Sequence, residues 1–364
     1  MAGSALKEGI SATKVKLPSG EEVTWSLDEK VAFLGSPITY GVAASDVVRR
    51  ETHMSWVFLA GELAYKLKKP VRFPYLDFST IARREAACRA ELALNRRLAA
   101  DVYVDVVPLV QRGNRLAIGE AGETEKIVDW LVVMRRLDER QTLEQALRMG
   151  NVASWQVDRL VTTLVAFYRQ ASAVLISPEA HLRGLEQSLA YNKRVLLDRN
   201  LGPAAGLVRR IDRAQRRFVA ERREVIAARV RHRRIVDGHG DLRPEHIWLG
   251  DPVRIIDCLE FNARLRAVDP CDEIAFLCIE CERLGGNKAG VSIKRRALHA
   301  LQDGLSEELF TFYRCYRATL RARLAIAHLL EPAPRTPDKW PRDARAYLRI
   351  AAAAALRLER LLDA

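Results

Sequence analysis

The sequence predicts an α+β protein with two lobes, a small β-rich N-lobe followed by a larger helical C-lobe. Alternating apolar segments separated by short turns dominate up to residue 134, and helical periodicity dominates from residue 135 onward. The chain has 364 residues, of which 49% are hydrophobic, which is enough to bury the cores of two moderate lobes. We therefore divide it into a polar leader (1–28), an N-lobe (29–134) and a C-lobe (135–364), and we expect a ligand in a cleft between such lobes.

The N-lobe is predicted to be a small sheet with one principal helix. VVRRE, WVFLA and LAYKLK indicate three strands that are joined by the turns THMS and GE. A helix is predicted from about residue 79 to residue 99, after a segment with two prolines. VYVDVVPLVQR, RLAIGE and VDWLVVM then indicate three further strands.

The C-lobe is predicted to be mainly helical. TLEQALRMG, WQVDRLVTTLVAFYRQAS, HLRGLEQSLAYNKRVLLDRN and an arginine-rich segment all have helical periodicity. Strands around residues 235–257 interrupt these helices, which resume from residue 271. A proline-rich loop at 332–343 precedes a last helix.

The net charge of +13 raises the question of nucleic-acid binding. In the arginine-rich segment, however, the apolar residues recur at helical spacing, so the arginines decorate the outer face of an amphipathic helix. These apolar residues are Leu207, Ile211, Ala214, Phe218 and Val225. Aromatic residues that could stack on bases are nearly absent there. We expect no specific nucleic-acid partner, although the charge is compatible with an anionic ligand.

The composition indicates a cytoplasmic protein that is not inserted in a membrane. No apolar run reaches 18 residues, and the first 20 residues lack the apolar core of a secretory signal. Six cysteines in a chain of this length do not make a disulfide framework. Cys278 and Cys281 lie in a segment with helical periodicity and have no second ligand pair, so a zinc site is not expected.

Polar residues surround an apolar hairpin in VDGHGDLRPEHIWLGDPVRIIDCLEF. Folding about the turn at 250–252 would make His246 and Asp257 cross-strand neighbours, and Asp241 would reach the same end of the hairpin. Two carboxylates and an imidazole that converge in this way predict a metal or proton-transfer site. The alternative is structural, with Asp241 capping the following turn and Asp257 ending its strand.

The stretch HGDLRPEH, followed by a hairpin and IDCLEF, resembles the catalytic segment of the aminoglycoside phosphotransferase family, which has a protein-kinase-like fold. The resemblance implies that His239 and Asp241 are catalytic, with Asp241 as the base that deprotonates an acceptor hydroxyl. It also implies that Asp257 holds Mg²⁺ against the phosphates of ATP. Downstream, VDPCDEIAFL resembles the family's acidic motif, with Asp269 and Glu273 at the acidic positions.

Upstream segments resemble the nucleotide-binding parts of the same family. LAYKLKKPV implies that Lys66 reaches the α- and β-phosphates, and Lys68, on the same strand face, is the fallback. The predicted helix must supply a glutamate to pair with this lysine, and Glu91 is preferred to Glu85 because of its spacing to the helix end.

VVMRRLDE resembles the hinge of these enzymes. The resemblance implies that Met134 lines an adenine pocket and that residues 135–137, from Arg135 to Leu137, offer backbone hydrogen bonds to the base.

The chain departs from the family pattern at two places. His246 stands where the family has asparagine, and imidazole suits softer metals than Mg²⁺, so His246 could bind Mn²⁺, leave a single-metal site or hydrogen-bond a phosphate. A glycine-rich phosphate loop is also missing. The turn at 52–55 occupies its place, so we expect backbone N–H groups and the hydroxyls of Thr52 and Ser55 to contact the phosphates.

The resemblance implies an ATP-dependent phosphotransferase that phosphorylates a hydroxyl of a small molecule. The alternative is a degenerate kinase-like nucleotide-binding regulator with little or no transfer activity. The closest pattern is that of an uncharacterised cytosolic branch whose members often carry a second, P-loop domain, but this sequence contains no G-x4-G-K-[ST]. The predicted substrate segments are arginine-rich, which favours a neutral or anionic acceptor, with a sugar as one candidate, over a polycationic drug. The sequence does not define the oligomeric state.

Overall fold

A computed structural model describes residues 25–41, 47–73, 75–123, 125–198, 201, 204–330 and 336–364. Most of the predicted polar leader and the start of the proline-rich loop therefore lie outside the described residues. The chain divides into an N-terminal unit, Met1–Asp138 with Ile255–Ala263, and a C-terminal unit, Glu139–Arg254 with Arg264–Ala364. The segment that carries Asp257 thus belongs to the N-terminal unit.

The N-terminal unit contains an antiparallel sheet. Its six strands are β1 (Val47–Glu51), β2 (Ser55–Ala60), β3 (Leu63–Lys68), β6 (Tyr103–Arg112), β7 (Arg115–Ile118) and β8 (Lys126–Arg135). They are arranged in the order β1-β2-β3-β8-β6-β7, and the short strands β4 (Arg72–Phe73) and β5 (Leu76–Asp77) form a separate pair. All six predicted strands are confirmed, since each of them is present in this sheet.

The predicted helix is also confirmed. Helix α2 (Ile81–Ala99) begins after Thr80, whose side chain accepts a hydrogen bond from the N–H of Arg83. It packs against β6 and β8. Its buried face includes Glu91 and Asn95 among apolar residues, so this helix carries polar groups into the core of the unit.

Helix α1 (Leu27–Leu34) was not predicted from the sequence. It begins at a capping box in which Ser26 and Glu29 exchange hydrogen bonds. Its apolar residues join an apolar cluster that includes Phe58, Leu67 and Leu131. Burial against the sheet stabilises a segment that is too short to form a helix alone.

The C-terminal unit is mainly helical, as predicted. Its helices are α3 (Leu143–Arg148), α4 (Ser154–Gln170), α5 (Pro178–Leu196), α6 (Ala205–Glu221), α7 (Arg223–Arg231), α9 (Pro270–Arg283), α10 (Asn287–Ala300), α11 (Glu307–Ala327) and α12 (Lys339–Leu362). The core is formed by α5, α6, α9, α11 and α12. Helix α9 is buried along nearly all of its length, since residues 270–281 are all buried.

Short strands frame the predicted catalytic segment. Strand β9 (Val236–Asp237) pairs antiparallel with β12 (Ala267–Val268). Strands β10 (Ile247–Trp248) and β11 (Arg254–Ile255) form the predicted hairpin. The chain passes into the N-terminal unit at β11 and returns at the single turn of α8 (Ala263–Arg266).

The hairpin is shorter than predicted, and the expected cross-strand pairing of His246 with Asp257 is wrong. His246 ends a 3₁₀ turn, Pro244–His246, instead of opening a strand. Asp257 has a φ of 64°, a left-handed conformation that takes the backbone out of the strand. The two residues also fall in different units.

Candidate functional site

Lys66 of the N-terminal unit contacts two carboxylates. Its Nζ lies 2.8 Å from Oε1 of Glu91 and 2.9 Å from Oδ1 of Asp257. The expected ion pair between Lys66 and Glu91 is therefore present, whereas Glu85 pairs with the exposed Arg89 on its own helix. Burial lowers the pKa of Lys66, but the charges of Asp257 and Glu91 raise it well above its usual value, so the side chain is an ammonium.

Lys68, the fallback candidate, is fully buried in the same network. Its Nζ lies 2.6 Å from Oε2 of Glu91 and 2.5 Å from Oε1 of Glu260, and it lies 5.0 Å from the ring centre of Phe78. Lys66 and Lys68 reach the same side of the sheet because side chains repeat every two residues along a strand. These ion pairs form a continuous series, Glu260–Lys68–Glu91–Lys66–Asp257, which we call the charge chain.

Helix α2 holds the backbone around Asp257 in place. The amide N–H of Cys258 donates to Oδ1 of Asn95 at 2.9 Å, and the side chain of Asn95 donates to the carbonyl of Glu91. The N–H of Asp257 donates to the hydroxyl of Tyr103 at 3.3 Å. The backbone is thus anchored while the side chain of Asp257 stays 47% exposed, which is the arrangement that a ligand-binding carboxylate requires.

The predicted adenine-pocket residue, Met134, is buried in an apolar cluster with Ala64, and Leu137 and Ile256 pack against that cluster. The hinge prediction is only partly compatible with the structure. The N–H of Arg135 donates to the carbonyl of Val102 at 2.8 Å, so this donor is engaged within the protein. Leu137 remains our candidate for hydrogen bonding to a nucleotide base.

The turn at 52–55 is closed by its own hydrogen bonds. The hydroxyl of Thr52 accepts from the N–H of Ser55 at 2.9 Å and donates to the carbonyl of the same residue at 3.0 Å. The N–H of Thr52 also donates to that carbonyl. These groups were expected to contact phosphates, but in this structure they define the shape of the turn.

In the C-terminal unit, Glu273 holds the His-Gly-Asp loop. Its carboxylate accepts hydrogen bonds from the N–H groups of His239 and Gly240 and, at 3.0 Å, from the hydroxyl of Tyr168. Gly238 is required at the entrance of the loop, because a Cβ there would lie 2.5 Å from a methyl of Val268. Glu273, one of the two acidic residues of the predicted motif, therefore anchors this loop.

Asp241 projects from this loop, and its side chain is 23% exposed. His239 is fully buried, and its Nδ1 accepts a hydrogen bond from the N–H of Asp241 at 3.2 Å, so it positions the loop. Nδ1 of His246 lies 3.0 Å from the carbonyl of Asp241. Burial raises the pKa of Asp241, but the charges of Arg243, His246 and other neighbours outweigh burial and lower it below the usual value. Asp241 is therefore a carboxylate at neutral pH.

One residue of the predicted metal site, Asp257, has a side chain suited to binding a magnesium ion. Asp257 offers carboxylate oxygens on a partly exposed side chain, and Mg²⁺ is commonly bound by one or two carboxylates together with phosphate oxygens. The Nδ1 of His246 is directed at a backbone carbonyl, so it is placed as a hydrogen-bond donor. Among the described residues, no three His, Cys, Asp or Glu side chains are grouped as a complete metal site.

Several contributors were missed by the sequence reasoning. Lys68 was only a fallback, and Glu260, Asn95 and Tyr103 were not singled out. The one sequence signal was the spacing of two lysines on one strand face. The six cysteines are free thiols and are all buried, as expected for a chain without a disulfide framework. In the part of the chain that the structure describes, no helix is long and apolar enough to cross a membrane.

Comparison with solved structures defines the class of fold. A thermostable mutant of an aminoglycoside phosphotransferase in its apo form is similar with a TM-score of 0.52 and 14% identity, covering 90% of this chain and 98% of that one. A mutant of aminoglycoside 2'-phosphotransferase-IIIa in a GDP complex has a TM-score of 0.50 and 14% identity, covering 89% and 97%. The chain has the aminoglycoside phosphotransferase-like, protein-kinase-like fold, which confirms the fold class predicted from the sequence.

Curated relatives carry no assigned activity. Uncharacterized proteins of Mycobacterium tuberculosis and Mycobacterium bovis are each 32% identical over 289 residues, which are 78% of this chain and 56% of those proteins. The chain thus spans little more than half the length of the curated relatives it matches. No family model matches the sequence.

Proposed function

We propose that the chain is a phosphotransferase that moves the γ-phosphoryl group of ATP to a hydroxyl of a small molecule. The observation that carries this proposal is the contact of one partly buried lysine, Lys66, with both Glu91 and Asp257. Such an arrangement positions an ammonium and a carboxylate for the phosphates and metal of a nucleotide. The fold supports the proposal, since the solved structures similar to this chain include phosphotransferases.

Within the N-terminal unit, we assign nucleotide binding to four residues. Lys66 contacts the α- and β-phosphates, and Glu91 holds its ammonium in place. Met134 and Leu137 contribute to an apolar wall for the base. Asp257 binds Mg²⁺ or Mn²⁺, an ion that neutralises phosphate charge when it is bound.

Within the C-terminal unit, we assign the role of base to Asp241. During transfer the acceptor oxygen bonds to the γ-phosphorus, the bond from that phosphorus to the bridging oxygen of ADP breaks, and the acceptor proton moves to Asp241. The ionised state of Asp241 at neutral pH supports this role. We also place the reaction in the cytoplasm, a proposal supported by the six free thiols.

The second candidate function is a nucleotide-binding regulator without transfer activity. The observation that favours it is His246, whose Nδ1 is directed at the carbonyl of Asp241 and which replaces the oxygen ligand typical of the family. Both candidates require nucleotide binding, so phosphoryl transfer distinguishes them.

The first experiment is a thermal shift with ATP and Mg²⁺ or Mn²⁺ on the native chain, Asp257→Ala, Glu91→Gln and Glu85→Gln. We expect ATP with metal to raise the melting temperature of the native chain and of Glu85→Gln, the control on the same helix. The rise should be lost in Asp257→Ala and reduced in Glu91→Gln. Absence of a shift in the native chain with either metal would remove both candidate functions.

The second experiment measures transfer of the labelled γ-phosphoryl group of ATP to hydroxyl compounds by the native chain, Asp241→Asn and Asp251→Asn. Asp251 is the control, because its side chain is 75% exposed and pairs with Arg159. Transfer that fails only in Asp241→Asn, with its ATP-induced shift retained, supports the enzyme. Binding of ATP without transfer to any acceptor supports the regulator.

A further inference from the structure

Arginine side chains surround the Asp241 loop. Arg243 lies two residues after Asp241, and its Nη1 is 3.9 Å from Oδ2 of that residue. Arg243 also forms an ion pair with Glu245. Its Nε is buried and has no hydrogen-bond partner among the described residues. A buried guanidinium N–H without an acceptor is costly, and an added oxyanion would satisfy it.

Two further arginines share one buried carboxylate on helix α9. Glu280 is fully buried and accepts a hydrogen bond from the hydroxyl of Tyr347 at 2.6 Å. Nε of Arg283 lies 3.0 Å from Oε2 of Glu280, and Nε of Arg321 lies 3.3 Å from its Oε1. Both guanidinium groups also lie within 5.6 Å of the ring centre of Tyr347. One carboxylate thus faces two positive charges.

These two groups of residues are neighbours in the fold. The 3₁₀ turn Pro244–His246, which contains Glu245, packs against α9. The charge of Glu245 acts on Arg283, and the charges of Arg321 and Asp241 act on each other. Beside Asp241 there are therefore three guanidinium groups and two further carboxylates, so the arginines outnumber the carboxylates other than Asp241 by one.

We infer that the acceptor is an anionic alcohol, whose phosphate or carboxylate group is held by Arg243, Arg283 and Arg321. This inference rests on the proposed phosphotransferase function and specifies its substrate class. Guanidinium groups match the planar, bidentate geometry of both oxyanions. An amine acceptor would instead need carboxylates without a cationic partner, but Glu280 pairs with two arginines and Glu245 pairs with Arg243 through Oε1, while Oε2 of Glu245 has no donor among the described residues.

The test uses inorganic phosphate and acetate as probes, titrated calorimetrically at constant ionic strength set with sodium chloride and in the presence of ADP. The native chain is compared with Arg321→Gln, Arg243→Gln and Arg321→Lys. Arg210→Gln is the control, because Arg210 forms an exposed ion pair with Glu359 on another part of the same unit. Arg243→Gln keeps the test decisive if Arg321→Gln fails to fold, since Arg243 is more accessible.

We expect at least one probe to bind the native chain and Arg210→Gln alike, and to bind Arg321→Gln and Arg243→Gln about 10- to 100-fold more weakly. Arg321→Lys should recover part of the affinity. Phosphate binding alone indicates a phosphorylated acceptor, and acetate binding alone a carboxylated one. Equal binding to all variants, or no binding of either probe, overturns the inference.

The ATP-induced thermal shift is measured on the same proteins, so that the two proposals can fail separately. A native chain that responds to ATP with metal but binds neither probe retains the proposed function and loses the anionic acceptor. A chain that binds the probes through these arginines but does not respond to ATP loses the phosphotransferase, and the acceptor assignment with it.

Discussion

Replacing Lys68 with methionine should destabilise the N-terminal unit more than any surface substitution. The ammonium of Lys68 is fully buried and lies within 2.6 Å of carboxylates of both Glu91 and Glu260. Lys68→Met keeps most of the side-chain volume, so the cavity contribution is small and the electrostatic contribution dominates. The substitution leaves Glu260, which is 8% exposed, without its cation, and Glu91 with only one. Removing one partner of such a buried pair costs about 3–5 kcal/mol.

A double-mutant cycle separates the ion pair from general packing. Lys68→Met with Glu260→Leu removes one positive and one negative charge together, so the net charge of the charge chain is the same as in the native chain. We expect the double variant to recover about half or more of the loss, because apolar replacement of a whole buried pair is often close to neutral. Urea denaturation followed by tryptophan fluorescence gives the free energies of unfolding. The exposed Lys288→Met is the control and should change them by less than about 0.5 kcal/mol.

The reasoning is refuted if Lys68→Met costs less than about 1 kcal/mol, or if the double variant is as unstable as the sum of the two single variants. Either result would mean that water or another cation replaces the missing ammonium. The charge chain would then not be a fixed element of the unit.

Three further predictions concern the two buried glutamates and the loop glycine. Burial raises the pKa of Glu91, but the charges of the two lysines lower it below its usual value, so its stabilisation should be present above about pH 4.5 and lost as the pH falls through the lower folded-state pKa. Urea denaturation between pH 7 and pH 3 should therefore show a smaller loss of stability in Glu91→Gln than in the native chain. Gly238→Ala should destabilise the C-terminal unit by about 1–3 kcal/mol, because the added Cβ would lie 2.5 Å from a methyl group of Val268. Gly184→Ala is the control, since a Cβ at that position meets no neighbour within 4 Å. Equal melting temperatures of the two variants would contradict the prediction. Tyr168→Phe should lower the free energy of unfolding by about 1–3 kcal/mol, because Glu273 loses a buried hydrogen-bond donor at 3.0 Å. It should also lower the rate of phosphoryl transfer more than the affinity for ATP. Denaturation curves identical to those of the native chain would disprove the contact.

Sequence periodicity was sufficient to predict the regular elements. The short apolar segments and turns of β1, β2 and β3 and the start of α2 after a proline-containing segment are local signals, and the structure contains each of these elements. The arginine-rich segment is also amphipathic, as predicted, but it is divided into α6 and α7 at Arg222, which has a φ of −118°. The spacing of apolar residues indicates which face of a helix is buried. It gives no signal for a break in the helix such as the one at Arg222.

Elements that depend on distant contacts could not be predicted. Helix α1 is short, and it is stabilised by burial of its apolar residues against strands that lie far away in sequence. The hairpin ended early because the ring of His246 lies against the carbonyl of Asp241 and Asp257 adopts a left-handed conformation. The motif indicated which residues were of interest, but the backbone around them was determined by tertiary hydrogen bonds.

The charge chain illustrates the same limit within the candidate site. The pairing of Lys66 with Glu91 was expected from the resemblance to the phosphotransferase family. The second pair, Lys68 with Glu260, joins residues that are 192 positions apart, and no local pattern selects one acid among many at such a distance. Only the structure shows that the ammonium of Lys68 has no solvent contact, and a buried charge of this kind needs carboxylate partners.

In each unit, the structure around a candidate site aspartate is organised by a buried glutamate that does not contact the aspartate side chain directly. Glu91 is fully buried, and through Asn95 the same helix turn holds the backbone beside Asp257. Glu273 is fully buried and accepts the N–H groups of the two residues that precede Asp241. Because the anchoring contacts are made to the backbone, the two aspartate side chains keep 47% and 23% of their exposure. Oδ1 of Asp257 contacts Lys66, but the exposure that both carboxylates retain leaves oxygen atoms accessible to a ligand. The observed division between buried anchors and exposed carboxylates is therefore better explained by ligand binding than by stability alone.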